Sequence, residues 1–222
     1  MKKLSILIAL ALVFGACQSL PRVTEEEFAP DLRSPNVQIG SVEVQINRTF
    51  PMPGIRKINV DVFYFPAEDA VCLQWRVDMM SYYQFWSYDA REAFLTALER
   101  YKEDFEARSF GSNNRRAKRH YGTTKGYLIW QASRYSVQAK APANIELGYY
   151  FVDRAPYFIA NQREAVFEST RGRDENRTNP EMPIYFTRAQ AEELAAFFDP
   201  SFLANITVGT PGRSLNVDID EY

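Results

Sequence analysis

A chain of 222 residues, 46% of them hydrophobic, carries enough apolar surface for one ordinary domain or two small ones. With 16 Phe and 13 Tyr it is no disordered coat, and a formal net charge of −2 leaves no basic excess to attract a polyanion. Two cysteines, Cys17 and Cys72, exclude a disulfide scaffold.

The chain begins with a positive pair, Lys2 and Lys3, then an apolar run over residues 4–14, then the small residues Gly15 and Ala16 before Cys17. This order describes an export signal. It is not a membrane span, which needs roughly 20 apolar residues to cross ~30 Å of hydrocarbon. Ordinary signal cleavage wants small side chains at both −1 and −3. A cut after Ala16 would place the bulky Phe14 at −3.

Leu12-Val13-Phe14-Gly15-Ala16-Cys17 instead resembles the lipobox of bacterial lipoproteins, with Phe14 standing where Leu is usual. The resemblance covers residues 1–17. It implies cleavage before Cys17, diacylglycerol on the Cys17 sulfur and acylation, palmitate included, of the new amino terminus. Several acyl chains at ~0.8 kcal/mol per buried methylene make an almost permanent anchor. By the rule of enteric lipoproteins, Gln18 after the cysteine permits sorting to the outer membrane, the expected place in a two-membrane envelope. Lys2 and Lys3 leave with the leader, so 26 basic residues become 24 against 28 acids, a net charge of −4. A lipidated Cys17 leaves Cys72 without an intrachain partner, so stability must come from the core. The Asn-x-Ser/Thr matches at Asn47, Asn176 and Asn205 stay unmodified in a bacterial lipoprotein.

Residues 17–36 read as the lipidated Cys and a tether, with Pro21, Pro30, Pro35 and the acidic Glu25-Glu26-Glu27. Residues 37–222 form the single domain. Val42, Val44 and Ile46 alternate with polar residues, as do Ile58, Val60, Val62 and Tyr64, and then Val71, Leu73, Trp75, Val77 and Met79. Period two with one apolar face is the mark of a half-buried antiparallel strand. Pro51-Met52-Pro53-Gly54 and Pro66-Ala67-Glu68-Asp69 supply turns, which makes a meander, and residues 82–86 offer a fourth strand. Ser87 or Asp89 caps a helix whose stripe is Phe94, Leu98, Tyr101 and Phe105, ended by Gly111-Ser112-Asn113-Asn114.

The second half follows the same plan. Strands fit residues 124–140, 144–153 and 157–168, with turns at Ala141-Pro142-Ala143-Asn144 and Arg154-Ala155-Pro156. A polar loop spans 169–181, then Ile184-Tyr185-Phe186 leads to a capping box at Thr187 and Gln190. The helix after it buries Ala191, Leu194, Ala195 and Phe198 and stops at Asp199-Pro200. Phe85-Trp86-Ser87 and Tyr185-Phe186-Thr187 match at an offset of 100 residues, through duplication or through two junctions obeying the same physics. The layout of three or four strands then a helix, twice, is similar in topology to the Whirly and PUR single-strand nucleic-acid-binding folds, without their sequence motifs. The expected class is α+β: mainly antiparallel meanders with two amphipathic helices, readable as two meander-plus-helix halves.

Candidate chemistry is sparse. Arg115, Arg116, Lys118 and Arg119, with His120, form a basic run that reads either as contact with an anionic surface or as a solvated loop. Tyr121, Tyr127, Trp130 and Tyr135 interleave with Lys125 and Arg134, a stacking pattern suited to nucleic acid or sugar, or an ordinary preference of strands for aromatics. Any His-based triad or multi-His metal site would have to rest on His120 alone. Cys72, on the polar side of its strand, reads as a reachable thiol or an inert one. Glu192-Glu193, Asp218, Asp220 and Glu221 are not spaced as a glycosidase pair, and there is no phosphate-binding glycine loop or metal-ligand spacing.

The expectation is a lipid-anchored cell-envelope protein, catalysing nothing, that binds or builds. Catalytic residues, metal and cofactors are none. Its partners are the membrane through the Cys17 lipid, envelope proteins, or an anionic lipid or glycan, with no nucleic acid. The rival expectations are an exported receptor for a small ligand or glycan, and a carboxylate-dependent envelope enzyme.

Overall fold

The computed structural model of the chain describes residues 28–48, 54–110, 118–132, 138–167 and 177–206. Within them the order is β1 (Val37–Arg48), β2 (Gly54–Phe65), β3 (Ala70–Val77), β4 (Met80–Trp86), α1 (Tyr88–Glu106), β5 (Lys118–Gln131), β6 (Ala139–Val152), β7 (Ala155–Gln162), β8 (Ala165–Phe167), β9 (Arg177–Asn179), β10 (Met182–Phe186), α2 (Arg188–Phe198) and α3 (Pro200–Ala204).

The protein is mostly antiparallel β with helices, as expected, but the meanders do not remain open sheets. They close into one barrel in the order β1-β2-β3-β4-β5-β6-β7-β10, every neighbour antiparallel, with β8 and β9 as a separate pair. An open sheet leaves two edges of unpaired backbone groups, and closure removes them. The closing seam is short, Gln45 opposite Tyr185 and Ile46 opposite Ile184. Period-two alternation turns one row of each strand inward: Val42, Val44 and Ile46; Val60, Val62 and Tyr64; Val71, Leu73 and Trp75; Ile145, Leu147 and Tyr149; Phe158 and Ala160; Ile184 and Phe186. All of them share one buried cluster.

Several boundaries differ from the sequence reading. The segment read as one strand over 124–140 is split between β5 and β6, and the expected turn at Ala141-Pro142-Ala143-Asn144 lies inside β6. Proline is tolerated there because β6 has only β5 as a neighbour before Ile145, an edge on which a missing N–H breaks no ladder. β3 stops at Val77 and reverses through Asp78, at φ 55°, and Met79, which is 74% exposed.

Both larger helices leave the same rim of the barrel, where β4 and β10 end. Ser87, rather than Asp89, caps α1, and Thr187 with Gln190 forms the capping box of α2. Asp199 ends α2 and caps α3, its carboxylate accepting from the Ser201 and Phe202 amides at 2.6 and 3.3 Å. The Ser201 hydroxyl, and then those amides, hold this carboxyl below its ordinary value. The 100-residue offset is geometric. Trp86 and Phe186 are both wholly buried before their caps, and Phe94, Leu98, Leu194 and Phe198 all join the same core. The first strand of each four-strand run also carries a register shift just before a glycine, at Gln38/Gly40 and His120/Gly122. At Gly40 a Cβ would stand 2.2 Å from the Phe197 ring, so α2 can press on β1 only over a glycine.

Phe94 occupies the centre of the helical end. Its ring centroid lies 5.7 Å from Trp86, 5.2 Å from Phe158, 6.1 Å from Phe186 and 5.0 Å from Phe198, edge to face in each case. One turn before it, the buried Arg91 fixes the helix to the β2–β3 turn. Its guanidinium meets the Asp69 carboxylate at 2.7 Å and donates to the Asp69 and Trp86 carbonyls at 2.5 and 3.4 Å. Tyr101 donates to the Pro156 carbonyl at 2.9 Å, and burial pushes its hydroxyl up to about 12. Phe94→Ala is expected to lower folding stability by about 3–5 kcal/mol, read from the midpoint of chemical unfolding, because the barrel wall cannot collapse into the void.

Candidate functional site

The outer wall of β2–β5 is covered by the chain itself. Leu32 is buried there with Phe63, Phe65, Ala70, Cys72, Tyr83, Phe85, Tyr127 and Ile129, and Phe28 meets Tyr127 edge-on at 6.5 Å. The last nine residues of the segment read as tether therefore lie on the barrel. Cys72, read as a thiol on the polar side, has no exposure at all, and burial pushes it well above its ordinary value. Alternation had placed it correctly on the outward row, but Leu32 lies over that row.

The basic run separates. Cys17, Arg115 and Arg116 lie outside the described residues. Lys118 and Arg119 are the first residues of β5, opposite Tyr150 and Tyr149, so the run expected as a loop is in part a strand. His120 is exposed in that strand, its Nε2 2.9 Å from the Thr123 hydroxyl. Among the described residues the interleaved aromatics do not converge on one stacking surface, and Arg134 and Tyr135 lie outside them. Tyr121 donates to the Asp104 carboxylate at 2.7 Å against α1, Tyr127 lies under Phe28, and Trp130 is buried with Leu128, Ala139, Ala141 and Ala143.

The interior carries a polar pair that alternation does not announce. Gln84 and Gln162 face inward from β4 and β7 and are buried. The Trp86 indole donates to the Gln84 carbonyl oxygen at 3.2 Å, and the Gln84 amide donates to Gln162 at 3.3 Å. The Gln162 amide nitrogen has no partner among the described residues, and neither does the Trp75 indole nitrogen. Such donors are costly when buried.

Trp75 borders the place where the wall opens. β2 and β3 pair from Phe65/Ala70 to Asp61/Gln74 and no further. Beyond that point residues 54–60 of β2 keep only β1, and residues 75–77 of β3 keep only β4. The two strands diverge around a cleft of about 330 Å³ lined by Ile58, Asn59, Asp61, Gln74, Trp75 and Arg76. Asp61 accepts from the Gln38 amide at 3.2 Å, and Arg76 donates to the Asp78 carbonyl at 3.3 Å. Trp75, 2% exposed, stacks on Tyr82 at 5.5 Å and so stays with β4. An open seam of this kind offers unpaired backbone groups, amides, a carboxylate and a guanidinium side by side. Sequence reasoning missed it, because the six residues look like any alternating strand pair.

Among the described residues no group of three or more His, Cys, Asp or Glu side chains could hold a metal, and no helix is long and apolar enough to cross a membrane. The model of the family described as Uncharacterised Treponema protein matches residues 36–205, so the chain belongs to that family. The match begins at the first strand and ends with α3, taking in the whole barrel and the seam. No curated protein and no solved structure matches the chain.

In the native protein Cys72 is expected to resist a thiol reagent and to react at once on unfolding. Leu32→Asp, which uncovers the outer wall, should speed its modification at least ten-fold under native conditions.

Proposed function

We propose that this protein is a lipid-anchored component of the cell envelope whose barrel is a non-catalytic binding module, with the open β2–β3 seam as its binding element. The observation that carries the reading is the seam, where strand edges and polar side chains meet in one cleft beside a filled core. The anchor rests on the leader and the lipobox-like residues before Cys17. With Phe28 held on the barrel, only residues 18–27 remain between the lipid and the body, a reach of about 35 Å. Such a module works close to the membrane surface. Arg115, Arg116, Lys118 and Arg119 remain the residues proposed to meet an anionic lipid or glycan.

A second reading, a receptor for a small hydroxyl-bearing ligand such as a sugar, is favoured by one observation. Trp75 lines the cleft, and its buried indole N–H has no acceptor among the described residues.

Metabolic labelling with a palmitate analogue should mark the wild-type protein, whereas Cys17→Ala should lose the label and leave the membrane fraction. A mature chain with that cysteine unmodified refutes the anchor. A photo-crosslinking residue at Asn59 should trap a discrete envelope component in intact cells, and the same residue at Lys125 should not. Equal yields from the two positions refute the seam.

A further inference from the structure

Resting on the seam reading, we propose that the cleft binds the ammonium–carboxylate pair of an α-amino acid, Asp61 taking the ammonium and Arg76 the carboxylate. Asp61 pairs with Gln74, and Arg76 stands two residues further along β3 on the same outward row. The two are therefore diagonal neighbours across the last rung of the ladder. In a continued ladder such neighbours lie roughly 7–8 Å apart, within reach of long side chains, and opposite charges there attract. Here the ladder stops between them and each turns to a partner of its own. Asp61 accepts from the Gln38 amide at 3.2 Å, and Arg76 donates through Nε to the Asp78 carbonyl at 3.3 Å. The seam thus carries one charge of each sign on its two lips. Lys57, the next cation along β2, is already met by Glu43 at 2.7 Å.

Those lips specify the ligand. A simple anion drawn by Arg76 would be repelled by Asp61, and a simple cation by the reverse; a neutral sugar would leave both charges unanswered. A zwitterion satisfies both. The guanidinium keeps two further nitrogens beyond Nε, whose fork matches a carboxylate, and the Asp61 carboxylate can accept from an ammonium as well as from Gln38. Asn59 and Gln74, on the same lips, offer amide oxygens for the remaining ammonium protons. The floor is apolar. Ile58 and Trp75 stand on the inward rows and pack with the core, so the ligand's own side chain is aliphatic or aromatic. The buried Trp75 nitrogen lacks an acceptor among the described residues, and a carboxylate is an acceptor of the kind it lacks. A cleft of about 330 Å³ holds a molecule of that size.

Titration of the mature lipoprotein in detergent with leucine and with phenylalanine tests this. Either should shift the Trp75 indole resonance, assigned through Trp75→Phe, in a saturable way. Leucinamide, which lacks the carboxylate, and N-acetylleucine, which lacks the ammonium, should each bind at least ten-fold more weakly than leucine. Arg76→Gln and Asp61→Asn should each weaken leucine by at least the same factor while the unfolding midpoint stays unchanged. No saturable binding of either amino acid, equal affinity for leucine and leucinamide, or binding that survives both substitutions overturns the proposal. So does glucose binding that survives them. A product trapped at Asn59 and displaced by excess leucine assigns the zwitterion to a larger envelope molecule; leucine binding without such a product assigns it to the free amino acid. If Asn59 traps a component and neither amino acid binds, only the ligand class falls. If leucine binds through both charges and Asn59 and Lys125 trap equally, the envelope-partner reading falls instead.

Discussion

A closed eight-stranded barrel encloses a volume that its own side chains must fill, and here Phe94 does most of that at the helical end. The inward row of β7 includes Ala160, too small to meet its neighbours across the barrel, and it lies in one cluster with the helix residues. A helix entering from the rim supplies the missing bulk, and α1 can enter only because Arg91 ties its first turns to Asp69 and to the Trp86 carbonyl. Phe198 arrives from α2 on the other side of the same ring, 5.0 Å away. At the opposite rim Ala165 from the β8–β9 hairpin packs on Leu128, Trp130 and the alanines of β6. The interior is thereby committed to packing.

Among the described residues the inward rows pack into one core cluster, and the cleft stands in the wall. One weak point of the wall is between β2 and β3, and its cause is local. Trp75 lies opposite Tyr82 on β4 and stacks on it at 5.5 Å, so β3 follows β4 beyond Gln74, while β2 continues along β1. Two good pairings pull the strands apart, and Asp61, Gln74 and Arg76 are left around the gap. The same competition explains why the Trp75 nitrogen lacks a partner among the described residues: the ring is oriented by its face, not by its N–H.

Much of the architecture was legible. Alternation located the inward rows of β1, β2 and β3, and the capping box located the start of α2 at Thr187. The start of α1 stood open between Ser87 and Asp89 until the structure chose Ser87. The split of the 124–140 segment was not legible, because Pro142 looks like a turn residue unless one knows that β6 is an edge there. The state of Cys72 was not legible either. Its row faces outward, and only the fold brings Leu32 over it. Of the residues singled out in the basic run, the structure places Lys118 and Arg119 at the start of a strand, and the seam residues were never singled out at all.

Local order is what the sequence alone determined: the inward rows of the first three strands and the presence of the two amphipathic helices. These follow from period, caps and turn residues acting within a few positions of one another. Closure of the barrel, burial of Cys72 and the opening at Asp61 and Gln74 were decided only by the tertiary structure. Each depends on residues far apart in the chain, such as Ile46 with Ile184 or Phe28 with Tyr127, and no short-range pattern encodes which of two neighbours a strand will follow.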